Sequence, residues 1–190
     1  MLRFRSYSRF VIVFAIALTG CAQPEPESEP QEAAPAEMPS QQVAIDGMRN
    51  ITTVDNVTIG AQPSQLGLEE AAAMGFTVVV SNRAPGEIDW NERAVADSLG
   101  LQFVSIPMSG PVTEITDEQI AGLDAVISTP GAKVLLHCAS GNRASGLWAA
   151  WLVEKRGISA EDAFDLAIPG GLGSVRPAVE RRIAAQSDGQ

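Results

Sequence analysis

Seven consecutive residues, His137-Cys138-Ala139-Ser140-Gly141-Asn142-Arg143, hold the only histidine of the chain and one of its two cysteines. A thiolate is a nucleophile, and a guanidinium five positions on can hold two oxygens of an anion at once. If a strand ends at His137 and a helix opens behind the loop, several backbone N–H groups and the positive end of the helix dipole converge on one point. That point is an anion site before any side chain is considered, and a cysteine placed there favours the thiolate form. Gly141 lets the backbone turn its amides inward with no Cβ in the way. The pattern predicts nucleophilic chemistry on a small anionic group. Cys138 and Arg143 are its catalytic side chains, and Ala139, Ser140, Gly141 and Asn142 line the cradle.

Such a loop needs a strand to deliver it and a helix to back it. Val134-Leu135-Leu136-His137 suits a buried strand, and residues 144–155 read as a helix that is apolar on every side, as at the centre of a fold. Trp148, Trp151 and Leu152 lie at helical spacing there and read as core. Upstream, Asn56 to Ile59 is a short strand stopping at Gly60, Ser64 caps a helix through Met74, and Phe76 to Ser81 is the most strand-like stretch of the chain. A helix over 90–99, closed by Gly100, precedes a strand over 101–106. Thr116 with Gln119 three positions on has capping-box spacing and opens a helix toward Ser128, ahead of the Pro130-Gly131 break. Two more helices follow, after Ser159 and over 177–186. Arg83, at a strand end, either lines the pocket mouth or, as is commoner, is an exposed loop arginine, and Gly170-Gly171-Leu172-Gly173, which lacks the pattern of a nucleotide loop, reads as a flexible connection. Strands alternating with helices predict an α/β three-layer sandwich with a mostly parallel central sheet.

The first 45 residues read differently. Arg3, Arg5 and Arg9, then the apolar run 10–18, then Thr19-Gly20-Cys21 have the layout of a secretory signal peptide. The run is too short to span a bilayer. Residues 22–42 interleave five prolines with five glutamates and predict an extended, disordered tether. The expected organisation is a signal peptide over 1–20, Cys21 plus tether over 21–45, and one domain over 46–190. Across all 190 residues, 13 Lys and Arg stand against 23 Asp and Glu, a formal charge of −10. That balance excludes a nucleic-acid partner, which requires excess cations to displace counterions. One histidine and two cysteines exclude a structural zinc site and a disulfide-stapled scaffold. The expected ligand is a small anion captured locally, with no cofactor and no metal.

The loop resembles the H-C-x5-R signature of cysteine-dependent phosphatases. The stretch from Asn56 to Arg83 resembles the opening strand-helix-strand of small dual-specificity phosphatases. More closely, residues from about Asn50 to Arg182 resemble the bacterial beta-lactamase-hydrolase-like, phosphatase-like domain family, which carries a shortened C-x-S-G-x-R loop. The resemblance implies a protein-tyrosine-phosphatase-like fold, Cys138 as nucleophile, Arg143 as oxyanion binder and His137 as support for the loop and its thiolate. It also implies that a hydroxyl donates to the sulfur. Ser145 is the candidate, although Ala144 occupies the usual place directly after the arginine. Leu18-Thr19-Gly20-Cys21 resembles the lipobox of bacterial lipoproteins, implying lipidation at Cys21. The implied location is exported and lipid-anchored on the periplasmic side of a bacterial membrane, the outer one because Ala22 rather than Asp follows. The lipid would be the domain's sole membrane link.

Two departures from the phosphatase pattern bear on the reaction. Four residues rather than five separate Cys138 from Arg143, a cradle length that resembles the six-residue loops of rhodanese-type sulfurtransferases. In addition, the loop after Pro107 runs Met108-Ser109-Gly110-Pro111, where phosphatases carry a general-acid Asp; Glu114 and Asp117 are the nearest substitutes. Three readings follow: a phosphomonoester hydrolase, a sulfurtransferase carrying a persulfide on Cys138, and an anion-binding module without turnover.

Overall fold

The computed structural model describes residues 43–109, 112 and 114–187. The signal peptide, Cys21 and nearly all of the tether lie outside these residues. Five strands, β1 (Thr52–Val54), β2 (Val57–Gly60), β3 (Val78–Ser81), β4 (Gln102–Ser105) and β5 (Val134–His137), form one sheet in the order β1-β2-β5-β3-β4. Only β1 runs antiparallel, against β2; the other three pairings are parallel. The sequence reading had no β1, because a three-residue strand folded straight back on its neighbour leaves no period to detect. Asp55 makes the reversal at φ 53°, and the Asn56 amide donates to the carbonyls of Ile127 and Ala132, tying the hairpin to the entry of β5.

The helices are α1 (Gln65–Ala73), α2 (Glu92–Ser98), α3 (Asp117–Ile127), α4 (Asn142–Arg156), α5 (Ala160–Ala167) and α6 (Arg176–Ser187). Caps hold them, those at Ser64 and Thr116 as expected and that at Asn91 in addition. Ser64 Oγ accepts from the Gly67 amide, Asn91 Oδ1 from Ala94, and Thr116 and Gln119 form the reciprocal box. Because successive strand residues point to opposite faces, Val134 and Leu136 enter the larger core with Val57, Ile59, Val78 and Val80, beneath α3, α4, α5 and α6. Leu135 and Val79 enter the smaller core with Leu68, Ala71 and Ala96 of α1 and α2. Fully burying one such aliphatic side chain stabilises by about 1.5–3 kcal/mol. The two cores make the sheet the middle layer of the α/β three-layer sandwich.

α4 is the central helix: Leu147, Trp148, Ala150, Trp151 and Leu152 are all buried. Arg182 of α6 is bound to Glu154 of α4 and, at 2.7 Å, to both the Ile115 carbonyl and Asp117, so it fastens three helices at one point. The parallel strands finish level, since Gly60, His137 and Ser81 are register partners and Ser81 pairs with Ser105. The helices after β2 and β5 leave to opposite faces, and a crevice at the carboxyl end of the sheet beside such a divergence is where α/β proteins bind ligands.

Candidate active site

β5 delivers His137 to one face of the sheet and Cys138 to the other. Both are fully buried. The Gly141 amide donates to Cys138 Sγ at 3.1 Å, closing the loop on the sulfur. Gly141 has φ 91°, and a Cβ there would lie 2.0 Å from the Gly170 carbonyl oxygen, so conformation and space both demand glycine. Asn142 then opens the fifteen-residue α4 with no side-chain cap on its first turn. Unlike the amides of a capped helix, those of this turn are left for an anion in the cradle.

The cradle rests on two neighbours. The Asn50 amide donates to the Ser140 carbonyl at 2.8 Å, and the Cys138 N–H to that of Gly60 at 3.4 Å. Asn142 Oδ1 accepts from the amides of Gly173 and Val175 at 2.8 and 3.2 Å, while its Nδ2 donates to Ser174 Oγ at 2.8 Å. Only the backbone of Asn142 can therefore serve a ligand, and residues 170–175 form a fitted buttress rather than the flexible connection expected. Ala139 and Ser140 are the exposed part of the loop. Ser145 is buried with an unpartnered hydroxyl that meets Gly170, and it makes no hydrogen bond to the sulfur. With Ala144 next to the arginine, the hydroxyl falls one residue too far along α4.

Arg143 is held from outside the cradle. Its Nη1 donates to Glu87 Oε1 at 2.8 Å and to the Met108 carbonyl at 2.6 Å, and its Nη2 to Glu87 Oε2 at 2.5 Å. That end-on clamp leaves the opposite edge, Nε–H and the second Nη2–H, for the anion. The Glu87 bonds raise the Arg143 pKa above its ordinary value against the effect of burial, and the Cys138 sulfur adds to the rise. Reciprocally, the hydrogen bond from Arg143 outweighs burial and, with the Ala84 amide and Arg83 assisting, lowers Glu87 to about 2. Glu87 is thus an ionised clamp and cannot donate a proton near neutral pH.

Behind the loop, His137 Nε2 lies 3.0 Å from Glu92 Oε1, a close contact that is off the N–H axis of the ring, so neither ring nitrogen makes a hydrogen bond. Burial alone would push the Glu92 carboxyl up, but His137, Gln62 and Ser81 together hold it below the usual range. Gln62 Nε2 donates to Glu92 Oε1 at 2.5 Å and Gln62 Oε1 accepts from Arg83 at 3.1 Å. Arg83 in turn lies 3.7 Å from Glu87, and its side chain is 14% exposed, not the loose loop arginine expected. Asp117, one of the two substitute acids, is a first-turn acid of α3 held by Arg182; Glu114 is exposed. Sequence reasoning missed Glu87, Glu92 and Gln62. An acid in the first turn of α2, just after an Asn cap, was a signal for Glu92, but first-turn acids usually face solvent.

The fold is similar to that of P. aeruginosa TpbA, with TM-score 0.61 and 20% identity over 81% of this chain and 94% of that one. It is also similar to Tk-PTP, with TM-score 0.59 and 22% identity over 70% and 91%. These likenesses define the class: an α/β protein of the protein-tyrosine-phosphatase-like fold. The family model for the phosphatase-like domain of beta-lactamase hydrolase-like proteins matches residues 47–153, and the chain belongs to that family. Beta-lactamase hydrolase-like proteins of Xylella fastidiosa (strain 9a5c) and Agrobacterium fabrum are 31% and 27% identical over 107 and 106 residues, 54% and 53% of this chain. The matched stretch is 24% of the length of each relative. The chain is accordingly a member of the cysteine-dependent phosphatase-like superfamily.

Proposed function

We propose that the chain hydrolyses phosphomonoesters through Cys138, with preference for aryl esters. The observation that carries this reading is the pairing of the Cys138 sulfur, bonded by the Gly141 amide, with an Arg143 whose outer donors are already occupied by Glu87 and Met108. In the reaction the sulfur forms a bond to phosphorus as the ester P–O bond breaks. The Nε/Nη2 edge of Arg143 and the loop amides take up the charge developing on the non-bridging oxygens. Water then breaks the S–P bond, releasing orthophosphate and restoring the thiolate. With Glu87 ionised down to about pH 2, the leaving oxygen takes its proton from solvent, which favours phenolate over alkoxide departure. A solved complex of P. aeruginosa TpbA holds pTyr, an aryl ester of that kind.

One observation favours a second reading. A cradle of only four residues, with its carboxylate fixed as an anion, suits the attack of Cys138 on the sulfane sulfur of thiosulfate. The sulfane–sulfonate S–S bond breaks, sulfite leaves without needing a proton, and cyanide then removes the carried sulfur as thiocyanate. An assay of the full chain with an aryl phosphate, and in parallel with thiosulfate plus cyanide, separates the two. Phosphate release that disappears in Cys138→Ser supports hydrolysis. Thiocyanate production without phosphate release, together with a gain of about 32 Da on Cys138, overturns it. Protection of Cys138 from alkylation by inorganic phosphate, with neither product formed, leaves a binding module.

The exported, lipid-anchored location is proposed on the residues around Cys21 alone. A membrane-extracted protein that starts at Cys21 and carries acyl mass is the expected result. Any other N-terminus removes the proposal.

A further inference from the structure

The two ends of the cradle are joined by side chains that never enter it. From His137 the path runs to Glu92 at 3.0 Å, to Gln62 at 2.5 Å, to Arg83 at 3.1 Å, to Glu87 at 3.7 Å, and from Glu87 to Arg143 at 2.8 Å. Beyond the neutral Gln62 amide the path alternates cation, anion and cation through Arg83, Glu87 and Arg143. Apart from Arg143 on α4, its members come from β5, the residues just after β2 and β3, the loop leading into α2 and α2 itself. Glu92 is its innermost carboxylate, only 5% exposed, and sits on the first turn of α2, where an acid usually faces water.

A buried carboxylate is tolerated where donors compensate its lost hydration. Gln62 and Ser81 supply neutral donors here, and Glu92 stays ionised. An anionic oxygen 3.0 Å from Nε2 repels a lone pair there and attracts N–H, which favours the proton on Nε2, although neither ring nitrogen makes an in-line hydrogen bond. The sheet neighbours of His137 are Gly60 on β2 and Ser81 on β3, neither ionisable. The charged group facing the ring is thus Glu92 from α2. Arg83 stands one step further out, beyond Gln62, and Cys138 lies across the sheet.

We infer that Glu92 is a positioning residue for the nucleophile: it fixes the Nε2–H tautomer and the ring orientation of His137, and with Gln62, Arg83 and Glu87 it couples the start of the cradle to Arg143. The inference builds on Cys138 being the reactive residue of the proposed function, but it holds equally for phosphoryl and sulfur transfer. A fully buried ring immediately before the nucleophile dictates where the Cys138 backbone enters the loop. Losing its partner lets that entry drift without removing any group that touches substrate.

His137 is the only histidine in the chain, so its ring nitrogens are assigned in a 15N spectrum without ambiguity. The expected spectrum of the full chain near neutral pH shows protonated Nε2, and a neutral ring protonated at Nδ1 overturns the inference with no variant needed. In folded Glu92→Gln, the ring signals shift and alkylation of Cys138 by iodoacetamide slows about tenfold at neutral pH, with an altered pH profile. Gln62→Met leaves the Glu92–His137 contact intact and is expected to slow alkylation only about threefold while keeping the wild-type tautomer. A folded Glu92→Gln protein with the wild-type ring signals and alkylation profile overturns the inference. Failure of the wild-type protein to release phosphate from an aryl ester would remove the hydrolase reading and leave these readouts standing.

Discussion

Arg143 has five N–H donors, and three of them are spent before any ligand arrives. Glu87 and the Met108 carbonyl fix the guanidinium plane, so the ligand meets a fork already aimed rather than one that must be ordered on binding. Glu87→Ala is expected to lower kcat/KM for an aryl phosphate by about 10–100-fold while Cys138 remains alkylatable, measured by steady-state kinetics beside iodoacetamide labelling. Arg143→Lys keeps the charge but loses the planar fork, and should cost about 100-fold or more. The Glu87 pairing also has a pH signature. Its folded pKa, about 2, lies below the ordinary value of 4.5, so its stabilisation is complete above about pH 4.5 and is lost as pH falls toward 2. The stability gap between wild type and Glu87→Gln, from urea unfolding, should therefore narrow across that window; a gap that stays constant would show that the pair is not linked to folding. The proposed nucleophile and its arginine were placed together by the sequence because Cys138 and Arg143 lie within seven adjacent residues. Glu87, Glu92 and Gln62 were not, because they come from a loop, a helix and a strand end whose convergence no local spacing encodes.

At the scale of elements, the loop is held in shape by a contact between two glycines. The Gly141 Cα approaches the Gly170 carbonyl so closely that Gly141→Ala must displace backbone as well as adopt φ 91°. That substitution is expected to destabilise the fold by about 2 kcal/mol or more, read from the urea midpoint. Asn142→Ala removes three hydrogen bonds to residues 173–175, and the amides of Gly173 and Val175 should exchange faster with solvent while the sheet amides stay protected. Most elements could be read directly, since Ser64, Asn91, Thr116 and Ser159 each cap a helix and the β-branched run at β3 has no helical alternative. The glycine stretch 170–173 was misread for a physical reason. Composition registers conformational freedom in an isolated chain, whereas here each small residue leaves room for a neighbour: Gly170 for Ser145, and Gly171 for Asn50 and the Ser140 carbonyl.

For the whole molecule the decisive quantity is charge. A formal −10 over 190 residues sets a repulsive field against anions, while Arg143 and the amides around Cys138 attract them locally. Raising ionic strength from about 0.01 M to about 0.15 M shortens the Debye length from about 30 Å to about 8 Å and screens the distant acids more than the adjacent arginine. The proposed hydrolysis should therefore accelerate modestly in kcat/KM with added salt, and more for a substrate bearing several negative charges than for a simple aryl phosphate. A uniform decrease with salt would mean that the acidic surface does not govern approach.

One residue of rise along β5 places His137 and Cys138 on opposite sides of the sheet. An inhibitor confined to the cradle would touch neither the buried His137 ring nor Glu92, and on the inference drawn above resistance could then arise in α2 without altering a single atom it contacts. On the inference drawn for Glu92, substitutions around it would grade the reactivity of the sulfur while the proposed substrate surface stays as it is.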